Sequence, residues 1–251
     1  MNSDRPWYEI AFEAAYETVY AHRTDEAAER EVTGVAERLV AANDAVILDV
    51  GCGNGRHLAA WSRRGHTGIG VDLSSDLIAR ARARSLPNVA FLRADMRDLP
   101  LRAAADLVTS FFTSFGYFDD EDDDLRVLRG MATALRSEGR ILIDYLNPPR
   151  VRATLVPESR RHEGDLFIEE RRRIDTARRR VEKDVVLRHA DGRRHAYRES
   201  VRLLDEEDWA RLFDAVGLER VELWGSLDGR PYTEESDRMV LVAGPRERKG
   251  T

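Results

Sequence analysis

Apolar positions in the first part of the chain recur at helical spacing: Phe12, Tyr16, Val19 and Tyr20 fall on one face, and Val32, Val35 and Leu39 repeat it. Between the two groups, "AHRTDE" offers Thr24 or Asp25 as a cap, which predicts two helices before any strand. Short apolar runs then alternate with helical stretches. Strands are predicted at Val46–Val50, Thr67–Val71, Val89–Arg93 and Ala105–Ser110, and "SEGRILIDYL" reads as a turn and a fifth strand. Helices are predicted from Arg56 to Arg64, from a Ser74 or Ser75 cap to Arg84, and from about Asp122 to Leu135. Such alternation implies right-handed crossovers and a parallel sheet covered on both faces.

The rhythm breaks between Arg160 and Leu204, where three extended pieces, "DLFIEERRRI", "RRVEKDVVLRH" and "RRHAYRESVRLL", are joined by "DTAR" and "ADGR". Asp191-Gly192 between two extended runs is a hairpin signal, so an antiparallel meander is predicted after the fifth strand. A helix over Asp205–Val216, ended by Gly217, and strands near Arg220–Trp224 and Arg238–Ala243 complete the main sheet. The predicted organisation is a helical lid over residues 1–42, an α/β domain over 43–150 and 205–245, and a β insertion over 151–204.

Composition narrows the function. A chain of 251 residues can bury a full α/β core. The net charge of −6 disfavours a nucleic-acid partner, and no apolar run is long enough for a membrane span. The start, "MNSDRPWYEI", has no basic segment followed by an apolar one, and Cys52 is the only cysteine; a cytoplasmic location is expected. The acidic run Asp119–Asp124 reads as a solvated helix start, and no metal site is expected.

The stretch "VILDVGCGNGRHL" carries the chemistry. A glycine turn between strand and helix lets a ligand approach the backbone at the carboxyl edge of a parallel sheet. No Lys-Ser or Lys-Thr follows it, which removes the P-loop reading. Asp72, 21 residues after Gly51, stands where an acid would bind a ribose diol, as in dinucleotide sites. Yet the spacing is Gly-x-Gly-x-Gly, and Asp49 puts a carboxylate where a pyrophosphate would lie. Asp95, in "RADMRDLP", can accept an adenine amine with Met96 packing on the ring. An adenosine with a cationic amino-acid tail, S-adenosylmethionine, satisfies all three features.

The sequence resembles the class I S-adenosylmethionine-dependent methyltransferases. "ILDVGCGNGRH" is similar to their first motif, "GVDLS" to the ribose-binding acid, "ADMRDLP" to the adenine site and "LRSEGRILIDY" to the fifth strand. The likeness extends to N-methyltransferases of antibiotic amino sugars, through paired tyrosines in an N-terminal helix, "FFTSFGYF" after the fourth strand and the antiparallel insertion. It implies a Rossmann-like seven-stranded sheet with one antiparallel strand near the C-terminus.

The resemblance also implies roles. Gly51, Gly53 and Asn54 would approach the methionyl end, Asp49 its ammonium, Asp72 the ribose, and Leu73, Asp95 and Met96 the adenine. Phe111 or Phe112 would pack on the cofactor, and Tyr16 and Tyr20, one helical turn apart, would close over it. Arg23 would pair with the cofactor carboxylate or serve as an exposed cap. Tyr117, where the amino-sugar enzymes can hold a histidine, and Tyr145 are the candidate catalytic residues beside the acceptor. Trp209 and Trp224 read as core, and His57 as structural. The expected partner is a small-molecule methyl acceptor with a nitrogen or oxygen nucleophile, and the assembly allows for a homodimer. The alternatives are a protein or RNA acceptor, or a regulatory protein that binds the cofactor without catalysis.

Overall fold

A computed structural model describes residues 6–11, 19–20, 23–41 and 43–246. After helices α1 (Trp7–Ala11) and α2 (Asp25–Leu39), the chain alternates β1 (Val46–Val50), α3 (Arg56–Arg63), β2 (Thr67–Asp72), α4 (Ser75–Ala83) and β3 (Val89–Arg93). A 3-10 turn (Met96–Asp98), β4 (Ala105–Ser110), α5 (Glu121–Ala134) and β5 (Leu135–Leu146) follow. Next come α6 (Pro148–Thr154) and the strands β6 (Glu158–Glu163), β7 (Leu166–Asp175), β8 (Arg180–His189) and β9 (Arg194–Arg202). Helix α7 (Glu206–Ala215) and strands β10 (Leu218–Trp224) and β11 (Arg238–Pro245) close the fold. Phe12 and Tyr16 lie outside the described residues.

The main sheet has seven strands in the order β10-β11-β5-β4-β1-β2-β3. Only β11 opposes its neighbours, pairing antiparallel with both β5 and β10. The central strands β1, β4 and β11 are buried on both faces, which is why they show no apolar–polar alternation, whereas the edge strands β3 and β10 are largely exposed. On one face α5 and α7 pack Leu128, Met131, Trp209 and Phe213 against Ile141, Ile143 and Tyr145. On the other, α2, α3 and α4 pack Val35, Leu58, Trp61 and Ile78 against Ile47, Leu107 and Leu142. Helix starts are set locally: Thr24 Oγ1 accepts from Ala27 N, Ser74 Oγ from Leu77 N, and Asp205 and Asp208 cap each other's backbone.

The insertion is a second, antiparallel sheet in the order β6-β7-β8-β9. Its inner face, with Ile168, Val185 and Leu187, packs on Ala11 and Val19. Two elements depart from the sequence reading. The meander has four strands rather than three, because β6 ("ESRRHE") is an all-polar edge strand with no apolar alternation to reveal it. Helix α6 precedes it, begun by Asn147 with prolines in its first turn, where a missing N–H is harmless.

Candidate active site

The strand order turns back on itself between β4 and β2, on either side of β1, and a cleft of about 940 Å³ opens at the carboxyl ends of these strands. Its floor is the glycine turn. Gly51, Gly53 and Gly55 have φ of +77°, +55° and +79°. Gly51 and Cys52 N–H both donate to Val71 O, at 2.8 and 3.0 Å, which ties the turn to β2. A Cβ on Gly51 would stand 2.8 Å from that of Ser114, whereas one on Gly53 would meet nothing within 4 Å. The first glycine is therefore required by packing and backbone, and the second leaves open space above its backbone.

Asp72 ends β2, with Oδ2 accepting from Gly53 N and Oδ1 from Ser74 N, each at 2.8 Å. Burial raises its carboxyl above the usual range against the pull of those donors. Each oxygen keeps a further lone pair for a ligand hydroxyl. Asp49 sits beneath the turn, 1% exposed, and accepts from Thr109 Oγ1 at 2.9 Å. Burial raises it too, opposed by His57 and the Thr109 bond. It is a charge under the floor rather than a side chain on the wall.

Leu73, Asn54 and Met96 line the cleft, as does Asp95. Asp95 is also the cap of the 3-10 turn, accepting from Arg97 N at 2.9 Å and from Arg97 Nη2 at 2.6 Å. Burial pushes its carboxyl up, but the Arg97 hydrogen bonds outweigh this and leave it below the usual range. Phe111, which also lines the cleft, stacks on His57 at 3.9 Å, and His57 Nε2 is 2.9 Å from Glu31 Oε2. Tyr20 and Arg23 line it as well. The Arg23 guanidinium lies 4.1 Å from the Tyr20 ring centroid and 4.6 Å from that of Phe112. The Tyr20 hydroxyl is engaged by Glu199 and Lys183 of the insertion.

Tyr117 also lines the cleft and packs 4.7 Å from Trp7 and 6.4 Å from Tyr8. Arg180, 2% exposed in β8, holds this loop in place. It donates to the carbonyls of Gly116, Tyr117 and Phe118 and to the Ser200 Oγ and carbonyl. His189, Arg193 and His195, around the tip of the β8–β9 hairpin, line the same cleft. The sequence reading missed these three. The Asp191-Gly192 turn revealed the hairpin, but only the tertiary fold shows where its tip reaches.

Tyr145 is a correction. It is fully buried, donates its hydroxyl to the Arg202 carbonyl and meets Trp209 edge-on at 5.1 Å. It lies on the face of β5 that packs against α5 and α7, away from the cleft, because alternate strand residues take opposite faces. Asp144 and Asn147 are likewise structural: Asp144 accepts from Phe112 N and Arg238 Nε, and Asn147 donates to carbonyls of residues 233, 234 and 236. Tyr145→Phe is expected to leave S-adenosylhomocysteine affinity unchanged and to lower stability by about 1 kcal/mol, the net worth of one buried hydrogen bond. Parallel calorimetry and denaturant melts would check this.

The residues present fit S-adenosylmethionine. Two carboxylates bracket the glycine backbone, which repels a pyrophosphate and attracts an ammonium or sulfonium. Asp72 keeps lone pairs that would accept from ribose hydroxyls, and Leu73 and Met96 supply apolar surface in the same cleft that would suit an adenine. Residues 47–139 match the family model described as a methyltransferase domain, and the fold and this site fit the class I S-adenosylmethionine-dependent methyltransferases.

Particular relatives agree with that class. The chain is 30% identical over 138 residues to the dTDP-3-amino-3,4,6-trideoxy-alpha-D-glucopyranose N,N-dimethyltransferase of Streptomyces venezuelae, covering 55% of this chain and 58% of that one. The matched region thus spans little more than half of that relative's length. Among solved structures, the CcbJ methyltransferase from Streptomyces caelestis superposes with a TM-score of 0.82 at 18% identity, covering 98% of this chain and all of that one. The S-adenosylmethionine-bound CalS10, an amino pentose methyltransferase from Micromonospora echinaspora, gives 0.69 at 26% identity, over 92% of this chain and 96% of that one.

Proposed function

We propose that the protein transfers a methyl group from S-adenosylmethionine to an amine on a small molecule of the amino-sugar type. The observation that carries this reading is that one cleft is lined both by the glycine turn and Asp72 and by Tyr117 and residues of the hairpin tip. A nucleophile entering at Tyr117 would approach the glycine floor directly, in the arrangement an in-line displacement needs. Likeness to sugar N,N-dimethyltransferases supports an amine as that nucleophile.

The sulfonium methyl supplies the electrophile, so the chain's residues chiefly align and desolvate. Tyr20, Arg23 and Phe112 would enclose the methionyl end, with Arg23 available to the cofactor carboxylate. Tyr117, Trp7 and Tyr8 would offer aromatic faces to the acceptor. An amine must lose a proton before it can attack, and the His189 and His195 imidazoles at the same mouth could take it.

The test is incubation with S-adenosylmethionine and matched pairs of nucleotide-linked sugars that differ only in an amino or a hydroxyl group. Release of S-adenosylhomocysteine with methylated product is expected from the amines alone. Turnover confined to hydroxyl sugars, peptides or RNA would overturn the reading.

A further inference from the structure

Three strands of the insertion converge on residues 19–20. Arg161, in β6, donates to the Val19 carbonyl at 2.6 Å. Lys183, in β8, donates to the Tyr20 hydroxyl at 2.5 Å, and that hydroxyl donates in turn to Glu199 Oε1, in β9, at 2.7 Å. Lys183 Nζ also pairs with Glu199 Oε2 at 2.7 Å, lies 3.9 Å from Glu170 Oε1 and sits 4.8 Å from the Tyr20 ring centroid. Tyr20 then carries Arg23 against its ring, beside the glycine floor. A chain of contacts therefore runs from the insertion to the cofactor wall.

The residue type at 183 is informative. Of 40 Lys and Arg residues, only Lys183 and Lys249 are lysines. A guanidinium presents its donors in a flat, fixed fork, whereas an ammonium is a compact charge with three donors around one atom. At 183 the acceptors converge on a single point: a phenol oxygen and a carboxylate at hydrogen-bonding distance, and a second carboxylate just beyond. An aromatic ring flanks that point. That geometry suits lysine in a chain otherwise built with arginine.

We propose that Lys183 is a positioning residue for the methionyl end of S-adenosylmethionine: it fixes Tyr20 to the insertion and, through Tyr20, sets Arg23 at the cofactor wall. The inference rests on the cofactor reading above. It makes the acceptor-side sheet part of the cofactor site, although Lys183 itself need touch neither ligand.

The test uses the full chain, with S-adenosylhomocysteine and 5′-methylthioadenosine as probes. The second keeps the adenosine and thioether but lacks the amino-acid tail. Lys183→Met keeps an unbranched side chain one atom shorter and removes its charge. It is expected to weaken S-adenosylhomocysteine about tenfold while methylthioadenosine changes by less than about twofold, read by calorimetry and competition. Tyr20→Phe should show the same selective loss, and the double variant no more than either single one. Equal losses for both probes, an unchanged S-adenosylhomocysteine affinity, or additive losses in the double variant would overturn the proposal. If the wild-type chain fails to bind S-adenosylhomocysteine, the cofactor reading falls, and this inference with it.

Discussion

Replacing Asp72 with alanine is expected to weaken S-adenosylhomocysteine about a hundredfold while leaving the fold intact. Two effects combine. The variant loses the acceptor for the ribose hydroxyls, and hydrogen bonds to a charged group are worth about 1.5–3 kcal/mol each. It also frees the N–H groups of Gly53 and Ser74, which Asp72 holds at 2.8 Å, so the glycine turn loses its brace on β2. Asp72→Asn keeps the shape and one acceptor oxygen and should fall between wild type and alanine. Titration calorimetry on the three proteins measures this directly. Wild-type affinity in the alanine variant would remove Asp72 from the site.

The second large effect concerns stability. Asp124, in the first turn of α5, departs from the solvated helix start expected of the acidic run: it is fully buried, and neither carboxylate oxygen has a hydrogen-bond partner among the described residues. Arg202 Nε lies 3.3 Å away. Burial outweighs that nearby charge and pushes the carboxyl up to about 7 from an ordinary 3.8. Between those values the folded chain keeps a proton that the unfolded chain has released. Stability contributed by this group therefore falls as pH rises through the window from about 4 to about 7, and the penalty is complete above it. The full swing is on the order of 4 kcal/mol. Asp124→Asn, neutral throughout, should lack this slope and gain on the wild type as pH rises from 5 to 8. Denaturant melts of both proteins give the difference, which cancels the contributions of Asp49, Asp72 and His66. Parallel pH profiles would show that Asp124 stays charged in the fold.

The part of the fold that reads from the sequence is the part whose burial leaves a periodic trace. Val46–Val50 and Ala105–Ser110 are buried on both faces and appear as short runs built on Val, Ile and Leu, and Thr24, Ser74 and Asp205 announce their helices by side-chain chemistry. Strand β6 left no such trace, since its six residues are held by backbone pairing with β7 and by ion pairs. Tyr145 was legible but misread. Counting in twos from Ile141 and Ile143 places it with the core against α5 and α7. Asp72 and the glycines needed only their own strand ends. His189, Arg193 and His195 needed the docking of one sheet on another, which adjacent residues do not encode.

The separate origin of the two parts of the cleft lining has an evolutionary consequence. Strand termini of the seven-stranded sheet supply Gly51, Gly53 and Asp72, whereas the hairpin around Asp191-Gly192 supplies His189, Arg193 and His195. Exposed tips tolerate exchange and changes of length better than buried strand ends do. On the function proposed above, descendants of this chain would acquire new acceptors by rewriting a handful of codons around position 190, with the glycine turn and Asp72 inherited unaltered.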